Sequence, residues 1–139
     1  MRSLLLSTAL VFSSVAIINT VAPAAAYAEP AAAEHTFIKK KKSIKGSYTI
    51  VERDGATYIK FSEDFKAKKG PDLKVFLSPK TIADVNGKTA VNGSINIGEL
   101  TSFKGGQEYM VPADINLADY KSVLVHCEEY AVLWGGADL

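Results

Sequence analysis

A chain of 139 residues holds one cysteine, one tryptophan, two methionines and two histidines. One thiol excludes an internal disulfide, a thioredoxin-type dithiol and a Cys-x-x-Cys-His haem attachment. His-Glu-x-x-His, Gly-x-Ser-x-Gly and a phosphate-cradling glycine loop are missing too, which leaves hydrolase and nucleotide chemistry without a motif. Nor is there a surplus of charge. Arg2 is the only charged residue in the first 28, and the rest of the chain carries 15 basic and 15 acidic side chains. That balance argues against nucleic acid as a partner, because phosphate binding needs a basic excess.

What is present divides into two materials. Leu4 to Ile18 is almost continuously apolar, broken only by Ser and Thr, and a run of small residues after Pro23 ends Ala26-Tyr27-Ala28. A basic start, an apolar stretch and a small-x-small end describe a secretory signal peptide over residues 1–28, with cleavage expected after about Ala28. The protein is therefore expected to be exported, periplasmic or extracellular. Its leader holds neither a cysteine for lipid attachment nor twin arginines. No later apolar run is long enough to span a bilayer, so no transmembrane anchor is expected. About 110 residues remain, enough for one domain with its own core.

Residues 29–45 read as a flexible basic lead-in, rich in Ala and Pro and then in Lys39-Lys40-Lys41-Lys42. The four lysines are either a solvated segment or an anchor for an anionic lipid or polysaccharide. From Gly46 to residue 139 the pattern is β. Tyr48 and Ile50 alternate with Ser47 and Thr49, Asp54-Gly55 makes a turn, and Ile59 and Phe61 return on one face, which predicts a hairpin. Phe65 to Asp72 reads as a Lys-rich loop, and Leu73, Val75 and Leu77 give the next strand its inward face. Ser78 to Ser94, with Pro79 and two Asn-Gly pairs, reads as loop. Ile95 and Ile97 begin a strand, and Gln107 to Val111 alternates again before Pro112 stops it. Ser122 to Trp134 is apolar on both faces, as in a central, doubly covered strand. Short strands parted by Gly, Pro and Asn predict an all-β fold, a single antiparallel sandwich or barrel-like domain.

Cys127 stands out, since an exported protein with one thiol keeps it without an internal partner. It is either a buried small hydrophobe or a thiolate that holds a metal or haem or cycles through oxidation. His126 adjoins it, but neighbours on a regular strand face opposite ways, so the two can ligate one group only if a bulge re-aims one of them. Glu128 and Glu129 break the apolar alternation directly afterwards. Gly70-Pro71-Asp72 makes either a rigid lead into a strand or, through Asp72 beside Asp64, a carboxylate pair at a loop rim. Trp134 reads as core or rim packing.

The ordered set Gly46-Ser47-Tyr48-Thr49-Ile50, Phe61-Ser62-x-Asp64-Phe65, Gly70-Pro71-Asp72-Leu73-x-Val75-x-Leu77-Ser78, Gly98-x-Leu100, Gly106-Gln107-x-Tyr109 with Pro112, and Tyr120-x-Ser122-Val123 leading to His126-Cys127-Glu128 resembles the DM-thirteen domain family, the electron transfer DM module. The resemblance implies a secreted β domain whose cysteine, here Cys127, acts in redox chemistry as a bare thiol or by holding a prosthetic group such as haem. The expected function is a small exported redox or electron-transfer module centred on Cys127, a monomer or weak homodimer, working alone or with a separate redox partner. The rival is a non-enzymatic surface or periplasmic binding module with a structural cysteine, whose segments Lys39 to Lys42 and Lys66 to Lys69 contact an anionic ligand.

Overall fold

The structure is a computed structural model that describes residues 31–139; the expected leader and its cleavage after Ala28 lie outside the described residues. Three short strands come first: β1 (His35–Thr36), β2 (Ile38–Lys39) and β3 (Ile44–Lys45). Then follow β4 (Ser47–Arg53), β5 (Ala56–Phe61), β6 (Lys66–Ala67), β7 (Leu73–Ser78), β8 (Ile95–Glu99), β9 (Gln107–Met110), β10 (Ser122–Cys127) and β11 (Val132–Asp138). Two 3-10 turns, Ile82–Asp84 and Leu117–Asp119, complete the described elements. Among the described residues no helix is long and apolar enough to cross a membrane.

The strands form a four-stranded sheet in the order β1-β4-β5-β9, a five-stranded sheet in the order β2-β11-β10-β7-β8, and a small β3-β6 pair. All pairings are antiparallel. Both larger sheets keep open edges, so the fold is a sandwich and not a closed barrel. The β4–β5 hairpin turns where the sequence places it. Arg53 pairs with Ala56, and Asp54 and Gly55 take φ of 53° and 77°, the left-handed pair that matches strand twist.

Side-chain alternation fills the space between the sheets. Tyr48, Ile59 and Phe61 from one sheet meet Val75, Leu77, Val123, Val125 and Cys127 from the other. Tyr48 ties the layers by donating its phenol proton to the carbonyl of Asp138 at 3.0 Å. The opposite face of the larger sheet is also covered: Phe76, Leu124 and Leu133 pack beneath Ile82, Val85 and Ala90 of the segment between β7 and β8. Every residue of β10 is buried as a result. The predicted central strand is thus covered on both faces by different means, a sheet on one side and a loop on the other.

Two expectations need correction. The segment 29–45 is not wholly a lead-in, because β1, β2 and β3 belong to the domain. Phe37 and Ile44 enter the core between the lysines, and the Phe37 amide bonds the carbonyl of Gly46 at 2.9 Å. A fully buried apolar side chain contributes about 1.5–3 kcal/mol, enough to hold a segment with few strand bonds. Likewise, the Lys-rich stretch 65–72 holds β6, which pairs Ala67 with Ile44 and turns Ala67 into the core.

Candidate functional site

Cys127 is the last residue of β10, opposite Leu73 of β7 and Val132 of β11. Its side chain is 0% exposed. The Sγ proton is donated to the carbonyl oxygen of Pro71 at 3.1 Å. A carbonyl can only accept, so in this contact the proton sits on sulfur. The strand leaves the core at once: Glu128 to Ala131 form a turn in which the Ala131 amide bonds the carbonyl of Glu128, and Ala131 takes φ of 50°.

Next to Cys127 a clasp joins that turn to the residues before β7. The Glu128 amide donates to the Asp72 carbonyl at 3.3 Å, and the Glu129 amide to Asp72 Oδ2 at 3.0 Å. Lys74 Nζ joins both sides, 3.1 Å from Asp72 Oδ1 and 2.5 Å from Glu128 Oε2. These two carboxylates hold the Lys74 ammonium well above its ordinary range, with Glu128 the larger influence. Asp72 reaches this position with φ of 51°, a conformation Asp tolerates better than most residues.

Trp134 closes the other flank. Its Nε1 donates to the Lys68 carbonyl at 2.8 Å, and its ring lies so near Gly70 that a Cβ there would be 2.5 Å from Cζ2. Gly70, Pro71 and Asp72 therefore have three separate tasks: one admits the indole, one accepts from the thiol, and one pins the turn. Glu128 and Trp134 are tied to this segment, the first through Asp72 and Lys74 and the second at Gly70 and Lys68.

The other two residues singled out from the sequence do not converge there. Asp64 is exposed in the turn closed by the Phe65 amide on the Ser62 carbonyl, whereas the partners of Asp72 are Lys74, Glu128 and Glu129. Of the two readings of Gly70-Pro71-Asp72, these contacts are those of the rigid lead into a strand. His126 points away from Cys127. Pairing of β10 with β7 runs without a break through His126↔Lys74 and Cys127↔Leu73, so the two side chains lie on opposite faces. A bulge does exist, but it falls on β11: Val125 pairs with Gly135 and His126 with Leu133, leaving Trp134 as the extra residue. The irregularity re-aims the indole, not the imidazole.

His126 is 1% exposed and meets the Phe76 ring edge-on, with centroids 6.0 Å apart. Its Nδ1 has no hydrogen-bond partner. Burial pushes the imidazole below its ordinary value, against a smaller upward pull from Glu128. Near neutral pH it is an uncharged ring in an apolar setting.

This donor set does not fit a haem. The sulfur is enclosed and already bonded to Pro71, and the neighbouring imidazole occupies the other face of the sheet. The concavity beside Leu73, lined also by Gly70, Asp72, Glu99, Leu100 and Phe103, does not reach Cys127. Among the described residues no cluster of three or more His, Cys, Asp or Glu side chains is placed to hold a metal ion. The geometry is that of a protonated thiol under a small polar cover. Sequence reasoning missed Lys68 and Lys74, which contribute a main-chain acceptor and a bridging ammonium; neither role leaves a motif.

The family described as Electron transfer DM13 matches residues 36–139. Its first matched residue lies in β1, in keeping with a domain that begins before Gly46. No curated protein and no solved structure matches the chain.

Proposed function

Because the chain belongs to the Electron transfer DM13 family, we propose that it is an exported redox module working through the thiol of Cys127 together with a separate partner. The observation that carries this reading is the hydrogen bond from Cys127 to the Pro71 carbonyl, in a segment whose Gly70 packs on Trp134 and whose Asp72 is tied to the Glu128–Glu129 turn. A cysteine serving only as a small hydrophobe needs none of the polar cover above it.

The chemistry available to a lone thiol is exchange. When the clasp opens, Cys127 gives its proton to water and the sulfur attacks a disulfide of the partner. The partner's S–S bond breaks, a mixed disulfide forms on Cys127, and the other partner sulfur leaves as a thiolate that takes up a proton. A second thiol then attacks the mixed disulfide and restores Cys127. The second thiol is now bonded to the partner sulfur that Cys127 held, and a third thiol that attacks this new disulfide frees that sulfur, so that two thiols are oxidised to a disulfide as the partner's disulfide is reduced, two electrons in all. With the sulfur enclosed, exchange waits on opening, which protects the thiol from indiscriminate oxidation outside the cytoplasm.

The test is reaction of the folded protein with an aromatic disulfide, followed by mass and by circular dichroism. One adduct on a chain that keeps its β spectrum, reversed by added thiol and absent in Cys127→Ser, supports the reading. Modification only after the spectrum is lost makes Cys127 a structural core residue and returns the protein to the binding-module class.

A further inference from the structure

The lysines that the sequence presents as a run are not scattered into solvent. Lys39, Lys40 and Lys41 form one wall of a concavity of about 590 Å³, and Lys88 stands on the facing wall. Ala131 and Val132 give the concavity accessible apolar surface, with the buried Val85 and Leu133 beneath them. The volume lies within the range of small-molecule sites, roughly 300–1,000 Å³. No carboxylate lines it. Among the described residues the ion pairs belong to Arg53 and Lys74, so these four lining lysines have no acidic partner.

Both walls are fixed by the main chain. The Lys40 and Lys41 amides donate to the carbonyls of Trp134 and Leu133 at 2.8 and 3.0 Å, extending β2 along β11. Opposite, Asn86 Oδ1 accepts from the Lys88 amide at 2.9 Å, and Gly87 packs so tightly on the Ala131 carbonyl that any Cβ would collide with it. Four lysines therefore line, on fixed main chain, a concavity to which no acidic residue contributes.

We propose that this concavity binds a small amphipathic anion, an apolar body bearing a carboxylate or phosphate head. The apolar part lies on Ala131 and Val132, and the head meets the lysine rim. Two sources share that chemistry, a free amphiphile and a lipid in a bilayer, and the pocket is built for the free molecule, since its apolar floor is reached between two walls.

The probe is dodecyl phosphate below its micellar concentration, followed by methyl chemical shifts of Val132 and Leu133 in the full domain. Saturable shifts are expected, with binding weaker by about tenfold or more in the Lys40→Gln/Lys41→Gln/Lys88→Gln variant, the scale of one lost charge-assisted contact. All three lysines are exposed, so this variant should keep its fold, and Lys88→Glu alone provides a second reading of the same loss. Inorganic phosphate and dodecyl maltoside should each bind more weakly than dodecyl phosphate. Absence of saturation, equal binding of dodecyl maltoside, or unchanged affinity in the lysine variants overturns the proposal. Binding to phosphatidylglycerol vesicles without binding of the monomeric probe also overturns it, and assigns the lysines to surface adsorption.

Discussion

The thiol of Cys127 donates to the carbonyl of Pro71 across 56 residues of sequence, at 3.1 Å. That contact joins the end of the central strand to the segment before β7, and Asp72 next to it bonds the amides of both Glu128 and Glu129. The thiol is enclosed by the core between the sheets and, at the end of the strand, by these polar contacts. Exposed or half-exposed contacts of that kind open more readily than a sheet does.

Lys74 bridges the two sides of the clasp from a position with 19% of its side chain exposed, toward carboxylates 32% and 47% exposed. Such pairs add little to global stability. Lys74→Gln should therefore move the denaturation midpoint little. Labelling of Cys127 by a thiol reagent without denaturant should rise by about three- to tenfold, because the opening it gates is local. An unchanged labelling rate would remove Lys74 from the gate.

Gly70→Ala places a methyl against the Trp134 indole. Overpacking of this sort costs about 1–3 kcal/mol. Equilibrium urea unfolding should show a loss of that size, accompanied by a change in Trp134 emission as the ring shifts from the Lys68 carbonyl.

His126 makes stability depend on pH in a defined direction. Its folded value is lowered, chiefly by burial, so the unfolded chain binds the proton more readily. The contribution of the neutral ring is complete above the unfolded value of about 6.5 and is lost as pH falls from there toward the lower folded value. His126→Phe should flatten that part of the stability profile. It should cost little at pH 8, because it removes a buried Nδ1 that has no partner. Thermal melts of both proteins between pH 4.5 and 8 would check the two slopes.

Cys127→Ser keeps a donor for the Pro71 carbonyl but places a hydroxyl among apolar side chains. A loss of about 1–2 kcal/mol is expected, with the β fold retained. The variant should form no adduct with aromatic disulfides, by intact mass.

Much of this arrangement is legible in the sequence. The Asp54-Gly55 hairpin, the alternation of Leu73, Val75 and Leu77, and the two-faced apolar run to Cys127 each follow from local pattern. The strands around Phe37, Ile44 and Ala67 escape that reading because single core residues lie between lysines, and two-residue pairings have no periodicity to detect. At the site, Gly70-Pro71-Asp72 and Glu128 are visible as motif residues. Their meeting beside Cys127 is set by β7 and β10 pairing, which no local signal carries. The position of the bulge decides the fate of His126, and it depends on the fit of Trp134 under Gly70, a tertiary contact.

Labelling of Cys127 as a function of urea tests the central claim most directly. A thiol gated by the Asp72–Lys74–Glu128 clasp predicts a rate that is nearly independent of urea at low concentration, because local opening exposes little surface, and that rises only near the unfolding transition. A logarithmic rate that climbs from zero urea with the full slope of global unfolding would contradict it, and would make Cys127 a silent member of the core.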